Sequence, residues 1–91
     1  MRFVYEPMAL DGLREAGDYL LKRFGRREAQ ILKTLLVTFE QQVSKNPELY
    51  PIYRAGYPYR KAALHHRFIA VYVILDDAVS VIDAWDTRQD R

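Results

Sequence analysis

The 91-residue sequence has no cysteine. That absence excludes a disulfide framework, a thiolate nucleophile and thiolate-ligated zinc, and it is compatible with a reducing compartment. Long hydrophobic runs are missing too. Nothing approaches the roughly 20 apolar residues of a membrane helix. Residues 1–24 contain no unbroken apolar stretch, so no signal peptide and no membrane partner are expected, and the expected location is cytoplasmic. There is no repeat, low-complexity tract or linker. Acid is absent from one long stretch. Residues 49–75 contain no Asp or Glu, although acids are frequent up to Glu48 and return at Asp76.

What remains is an ordinary globular mixture. Hydrophobic residues make up 49% and charged residues 29%, which suits a packed chain rather than a disordered one. The length suits a single domain over residues 1–91. The formal net charge of +2 decides little, but its distribution is uneven. The acid-free stretch carries Arg54, Arg60, Lys61 and Arg67, with His65 and His66 among them. Such a local excess suits phosphate or an acidic protein partner. The plainer reading is a hairpin edge kept soluble by basic residues.

The periodicity predicts β-α-α-β-β-β. Residues 2–5 are a β-prone start, and Pro7 fits the first turn of a helix. Leu10, Leu13, Gly17, Leu20, Leu21 and Phe24 form a helical stripe that Gly25 ends. A second helix from about Arg27 buries Leu32, Leu35, Leu36, Phe39 and Val43, and Asn46-Pro47 closes it. The short break at Gly25 implies an antiparallel helix hairpin. Residues 48–58, rich in Tyr, Pro and Gly, read as an ordered but irregular connection. Tyr59–Ala63 is the next strand, with Leu64-His65-His66 as its turn. Residues 67–75 read as a central strand covered on both faces. Asp76-Asp77 makes a tight turn, and Ala78–Trp85 returns. The expected fold class is α+β, a twisted antiparallel sheet packed on an N-terminal helix hairpin. Its opposite face is expected to carry the basic residues.

The ordered set of elements resembles the RelE/ParE toxins of type II toxin–antitoxin modules, a superfamily that includes plasmid-stabilisation proteins. The run from Arg67 through Tyr72, Asp76-Asp77 and Ile82 resembles the family's central hairpin. Asp83-Ala-Trp85-Asp-Thr-Arg88-Gln-Asp90 resembles its terminal strand, which closes on an arginine. Leu13 through Asp18-Tyr19-Leu20 resembles its first helix. The resemblance implies a cognate antitoxin as partner, a toxin–antitoxin hetero-oligomer, no cofactor, and one of two targets. RelE-type members cut messenger RNA on the ribosome, whereas ParE-type members poison DNA gyrase and are not nucleases.

RNA cleavage without metal needs a base for the 2′-hydroxyl, cations for the crowded phosphate and an acid for the leaving oxygen. Arg88, Lys61, Arg67 and His65 are the candidates, and a histidine with an ordinary pKa near 6.5 suits the proton transfers. Three departures from the RelE pattern favour the ParE-like reading. Ile69 stands where RelE-type chains place an arginine, three residues before the mid-strand tyrosine. No tyrosine follows Arg88. Neither Trp85 nor Asp86 supplies the terminal histidine of some relatives. For target binding the candidates are Arg60, Lys61, Arg67, Arg88 and Trp85, with Arg88 foremost. Only one of Arg60 and Lys61 should reach the open side of the sheet, since neighbours on a strand alternate. No metal site is expected at the histidines. A third reading is a module that has lost its toxicity and only binds antitoxin. The leucines of the second helix also predict an apolar groove beside the helix hairpin.

Overall fold

A computed structural model describes residues 1–65 and 67–89. Its elements are β1 (Arg2–Tyr5), α1 (Pro7–Phe24), α2 (Arg26–Lys45), β2 (Tyr59–His65), β3 (Phe68–Ile74) and β4 (Ala78–Asp86). This is the expected order. Strands β2, β3 and β4 form an antiparallel meander, and β1 joins it parallel to β4, so the sheet order is β1-β4-β3-β2. The addition of β1 makes the sheet mixed rather than antiparallel throughout. No helix among the described residues is long and apolar enough to cross a membrane.

Pro7 opens α1, where its missing N–H costs nothing. Gly25 sits at φ 93°, a region that favours glycine, and its N–H closes the helix on the carbonyls of Leu20 and Leu21. α2 begins at the next residue. The buried face of α1 is not the expected leucine stripe. It is Ala9, Gly12, Ala16 and Leu20, while Leu10, Leu21 and Phe24 are about half exposed. The reason is proximity. A Cβ on Gly12 would overlap the backbone carbonyl of Ala84 in β4. A helix lying this close to a strand admits only small side chains beneath it, and the bulky ones move to its flanks.

α2 follows the expected pattern more closely. Leu32, Phe39 and Val43 are buried, and Leu35 and Leu36 are half-buried. The main core joins Phe39 and Val43 to Ala62, Ala70, Tyr72, Val79 and Val81 of the sheet. Phe39 meets Tyr72 edge-on at 5.6 Å between ring centroids. The Tyr72 hydroxyl donates to the Pro47 carbonyl at 2.7 Å. That bond and Tyr50, which packs on the same core, hold the start of the connection in place. The connection then runs along the outer edge of β2, where Ile52 bridges Arg60. β3 is the central strand and is buried over Phe68–Tyr72.

Two irregularities set the positions of functional candidates. The β3–β4 pairing shifts between Val71 and Tyr72, so Ile82 is an extra residue on β4. The β2–β3 pairing shifts between Ala63 and His65, so Leu64 is extra on β2. The expected turn at Leu64-His65 is therefore strand. Bulges of this kind re-aim the side chains that follow them.

Candidate functional site

The helix-facing side of the sheet is marked by Ala62, Phe68, Ala70, Tyr72, Val81 and Ala84, which pack with α1 and α2. Regular alternation from Ala62 would send His65 to the opposite side. The extra Leu64 reverses that, and His65 pairs with core-facing Phe68 instead. His65 thus lines a recess on the helix side, together with Arg67, Asp86 and Arg88 of the sheet end and Glu28 and Leu35 of α2. Three of the four candidates for RNA chemistry meet there: His65, Arg67 and Arg88. His66 lies outside the described residues.

The end of β4 builds this recess. Thr87 ties it to the β2–β3 turn, since its N–H and its hydroxyl both donate to the Arg67 carbonyl, at 2.6 and 3.1 Å. Asp86 is fully buried. Its carboxylate accepts from the Arg88 backbone N–H at 2.8 Å, from Nε at 3.0 Å and from Nη2 at 2.8 Å. Arg88 Nη1 donates to Glu28 at 3.3 Å, and the guanidinium lies over the Phe24 ring at 4.6 Å from its centre. Burial pushes the Asp86 carboxyl up, but hydrogen bonds from Arg88, its charge and that of Arg67 outweigh this and hold it below the ordinary carboxylate value. The Arg88 pKa is raised, first by its hydrogen bond to Asp86 and then, against some burial, by the two carboxylates' charge and the Glu28 bond. Arg88 is therefore a permanent cation that joins β4 to both helices. Its side chain is 19% exposed, so it is neither a solvated tail residue nor an unneutralised charge.

The remaining cations do not gather. Arg60 points to the helix side, where it donates to the Tyr50 carbonyl at 2.8 Å and pairs with Glu48 at 3.5 Å. It props the connection and is not brought to the recess. Lys61 reaches the far side of the sheet, 5.1 Å above the Tyr53 ring. That far side is mostly apolar and aromatic rather than basic, which corrects the expectation of a cationic face. The reason is alternation: the adjacent cations of β2, Arg60 and Lys61, point to opposite sides of the sheet. Trp85 is half-buried on the far side, opposite Ile69, and with Tyr59, Val71 and Ile82 it lines a groove of about 410 Å³. Ile69 is itself buried.

Sequence reasoning offers Asp86 as a partner for Arg88 but misses Glu28 and Phe24. Asp86-x-Arg88 is a local pattern that an aspartate favours, because its carboxylate bonds backbone two residues on. Glu28 and Phe24 lie about 60 residues away, and nothing local connects them to Arg88. The predicted groove beside the helix hairpin is present. It measures about 460 Å³ and is lined by Leu13, Leu21, Ala29, Leu32 and Leu36 among others, with Asp18, Arg26 and Lys33 at its polar positions. Leu35 faces the recess instead.

No family model matches the sequence, and no curated protein matches it. Solved structures do. A chain of the chromosomal ParDE toxin–antitoxin system of P. aeruginosa superposes with a TM-score of 0.75 at 12% identity, over 94% of this chain and 95% of that one. The YoeB dimer of Staphylococcus aureus gives 0.64 at 14%, over 93% and 94%. YafQ of E. coli gives 0.60 at 17%, over 97% and 96%. The fold of this chain is that of the RelE/ParE toxins.

Proposed function

We propose that this chain, built on the RelE/ParE fold, is the toxin of a toxin–antitoxin pair and is neutralised by a cognate antitoxin. One observation carries the reading: end-to-end likeness to proteins solved with their partners, YoeB with YefM and YafQ with DinJ. The apolar groove between α1 and α2 supports it, because a surface of that kind is ordinarily covered by a partner. Induction of the chain alone should arrest growth, and co-expression of the partner from the adjacent reading frame should restore it. Unimpaired growth at a verified protein level would contradict a toxin and favour a module that only binds its antitoxin.

The target is a finer matter. The likeness to YoeB and YafQ supports the RelE-like endoribonuclease better than the gyrase poison, and the helix-side recess agrees with it. His65 moves the protons, taking one from the 2′-hydroxyl and returning one to the leaving oxygen. Arg67, exposed beside it, steadies the charge that builds on the phosphate. Arg88 contributes through the N–H groups that Asp86 and Glu28 leave over, and its larger role is to fix the recess. The gyrase reading keeps two observations of its own, the likeness to a chain of the ParDE system at a TM-score of 0.75 and the character of the sheet's far side. The far face of the sheet is apolar around Ile69 and Trp85 and presents Lys61 as its cation, which suits a protein surface better than RNA. A supercoiling assay with purified gyrase decides between them: inhibition at micromolar chain would establish the second reading, and none would remove it.

A further inference from the structure

The corner between the two helices carries a second concentration of charge. Lys22, Arg23, Arg26 and Arg27 fall within six residues, and all four are exposed. Between Asp18 and Glu40 the sole carboxylate is Glu28, and it is engaged by Arg88. No ion pair among the described residues involves any of the four.

Their placement separates a local cause from a functional one. Lys22 and Arg23 lie in the last turn of α1, where the helix dipole favours cations. Arg26 and Arg27 open α2, at the end where cations are disfavoured, and no side chain caps that helix. Local stability thus explains the first pair and argues against the second. Phe24, about half exposed, stands in the middle of the four. The Arg88 guanidinium covers part of its ring, so the corner is continuous with the recess that holds His65 and Arg67.

We propose that this corner is a binding site for single-stranded RNA, with Lys22, Arg23, Arg26 and Arg27 on successive phosphates and Phe24 as a stacking platform. The chemistry selects that ligand. An aromatic ring among cations suits unstacked bases, which a duplex does not offer. Glu28 borders the corner and repels phosphate, but it accepts a hydrogen bond from a 2′-hydroxyl, a donor that DNA lacks. The site adjoins the ribonuclease reading and extends it, because a strand held here runs toward the recess. Binding is measured apart from cleavage, so either idea can fail alone.

The test uses the whole chain and a labelled oligouridylate, titrated at several salt concentrations. Binding should weaken with salt, and each neutralised phosphate should contribute about 0.7 to the slope of log K on log salt. Arg26→Gln with Arg27→Gln should lower that slope by about 1.4, whereas Lys45→Gln at the far end of α2 should leave it unchanged. Charge reversal, Arg26→Glu with Arg27→Glu, should abolish binding while the melting temperature holds or rises, because acids suit that end of α2. Binding that survives charge reversal would overturn the proposal. So would a deoxyuridylate oligomer that binds as tightly, or polyglutamate that binds more tightly than RNA.

Discussion

Arg88 is the residue at which the sequence pattern and the structure meet. Its place at the end of the last strand marks it as the foremost functional candidate, and the structure makes it an anchor as well. Asp86 takes both Nε and Nη2 from a fully buried position, so removal of that carboxylate strands a guanidinium that is itself largely covered. Asp86→Asn should cost about 2–3 kcal/mol in urea unfolding, at the lower end for a disrupted buried pair because Arg88 keeps some water. The pH dependence carries a definite sign. The Asp86 carboxyl is depressed on folding, so its contribution is complete above the ordinary aspartate value of about 3.9 and fades as pH falls through the folded-state value. The stability gap between wild type and Asp86→Asn should therefore narrow below about pH 4. A constant gap down to strong acid would mean that the pair contributes nothing electrostatic. At this scale the sequence was partly legible. It marked Arg88, and it required that Arg60 and Lys61 part company. It could not say which of the two would turn inward, because that depends on the carbonyls of Glu48 and Tyr50 that receive Arg60.

Elements explain where the reading of the helices went astray. Periodicity located α1 and its Gly25 stop, but periodicity follows bulk, and α1 is buried along its small residues. Gly12 is the closest point, directly on the Ala84 carbonyl. Gly12→Ala forces α1 away from β4 and should cost about 2–3 kcal/mol, read from the shift in denaturation midpoint. Ala9 and Ala16 lie on the same face, so the loss should be accompanied by looser packing along the helix. A fully stable alanine variant would mean that α1 does not sit on the strand backbone. The strands were read correctly in order and nearly in extent. The bulges at Leu64 and Ile82 were not read at all, since an extra apolar residue in an apolar run leaves no trace. The bulge at Leu64 nevertheless decides that His65 shares the recess with Arg88. The site's histidine was thus legible as a residue and illegible in its direction.

The whole molecule offers two unlike sides. The helix side holds the basic corner, the recess and the groove between α1 and α2, and the far side of the sheet is largely apolar. The groove combines leucines with Arg26 and Lys33, which outnumber Asp18 among its lining residues, a pattern that fits an amphipathic segment bearing acids. On the proposed toxin–antitoxin reading, the antitoxin's toxin-binding peptide should raise the melting temperature by mass action, stabilising the chain by about 3 kcal/mol at one hundred times its Kd. Leu36→Asp should abolish the shift, and a shift that persists would place the antitoxin elsewhere. The fold was legible because strand, helix pair and meander each carry a clear local signal. The recess was not, because His65, Arg67 and Arg88, on which the ribonuclease proposal rests, come together only in three dimensions.

Primer extension on translated messenger RNA tests the central claim most directly, provided the variants spare the Asp86–Arg88 pair. Cells expressing the wild-type chain should yield discrete cuts within codons, and His65→Gln and Arg67→Gln should lose them while they melt like wild type. Messages that stay intact under the wild-type chain, or cuts that persist at full strength in both variants, would contradict a ribonuclease centred on this recess.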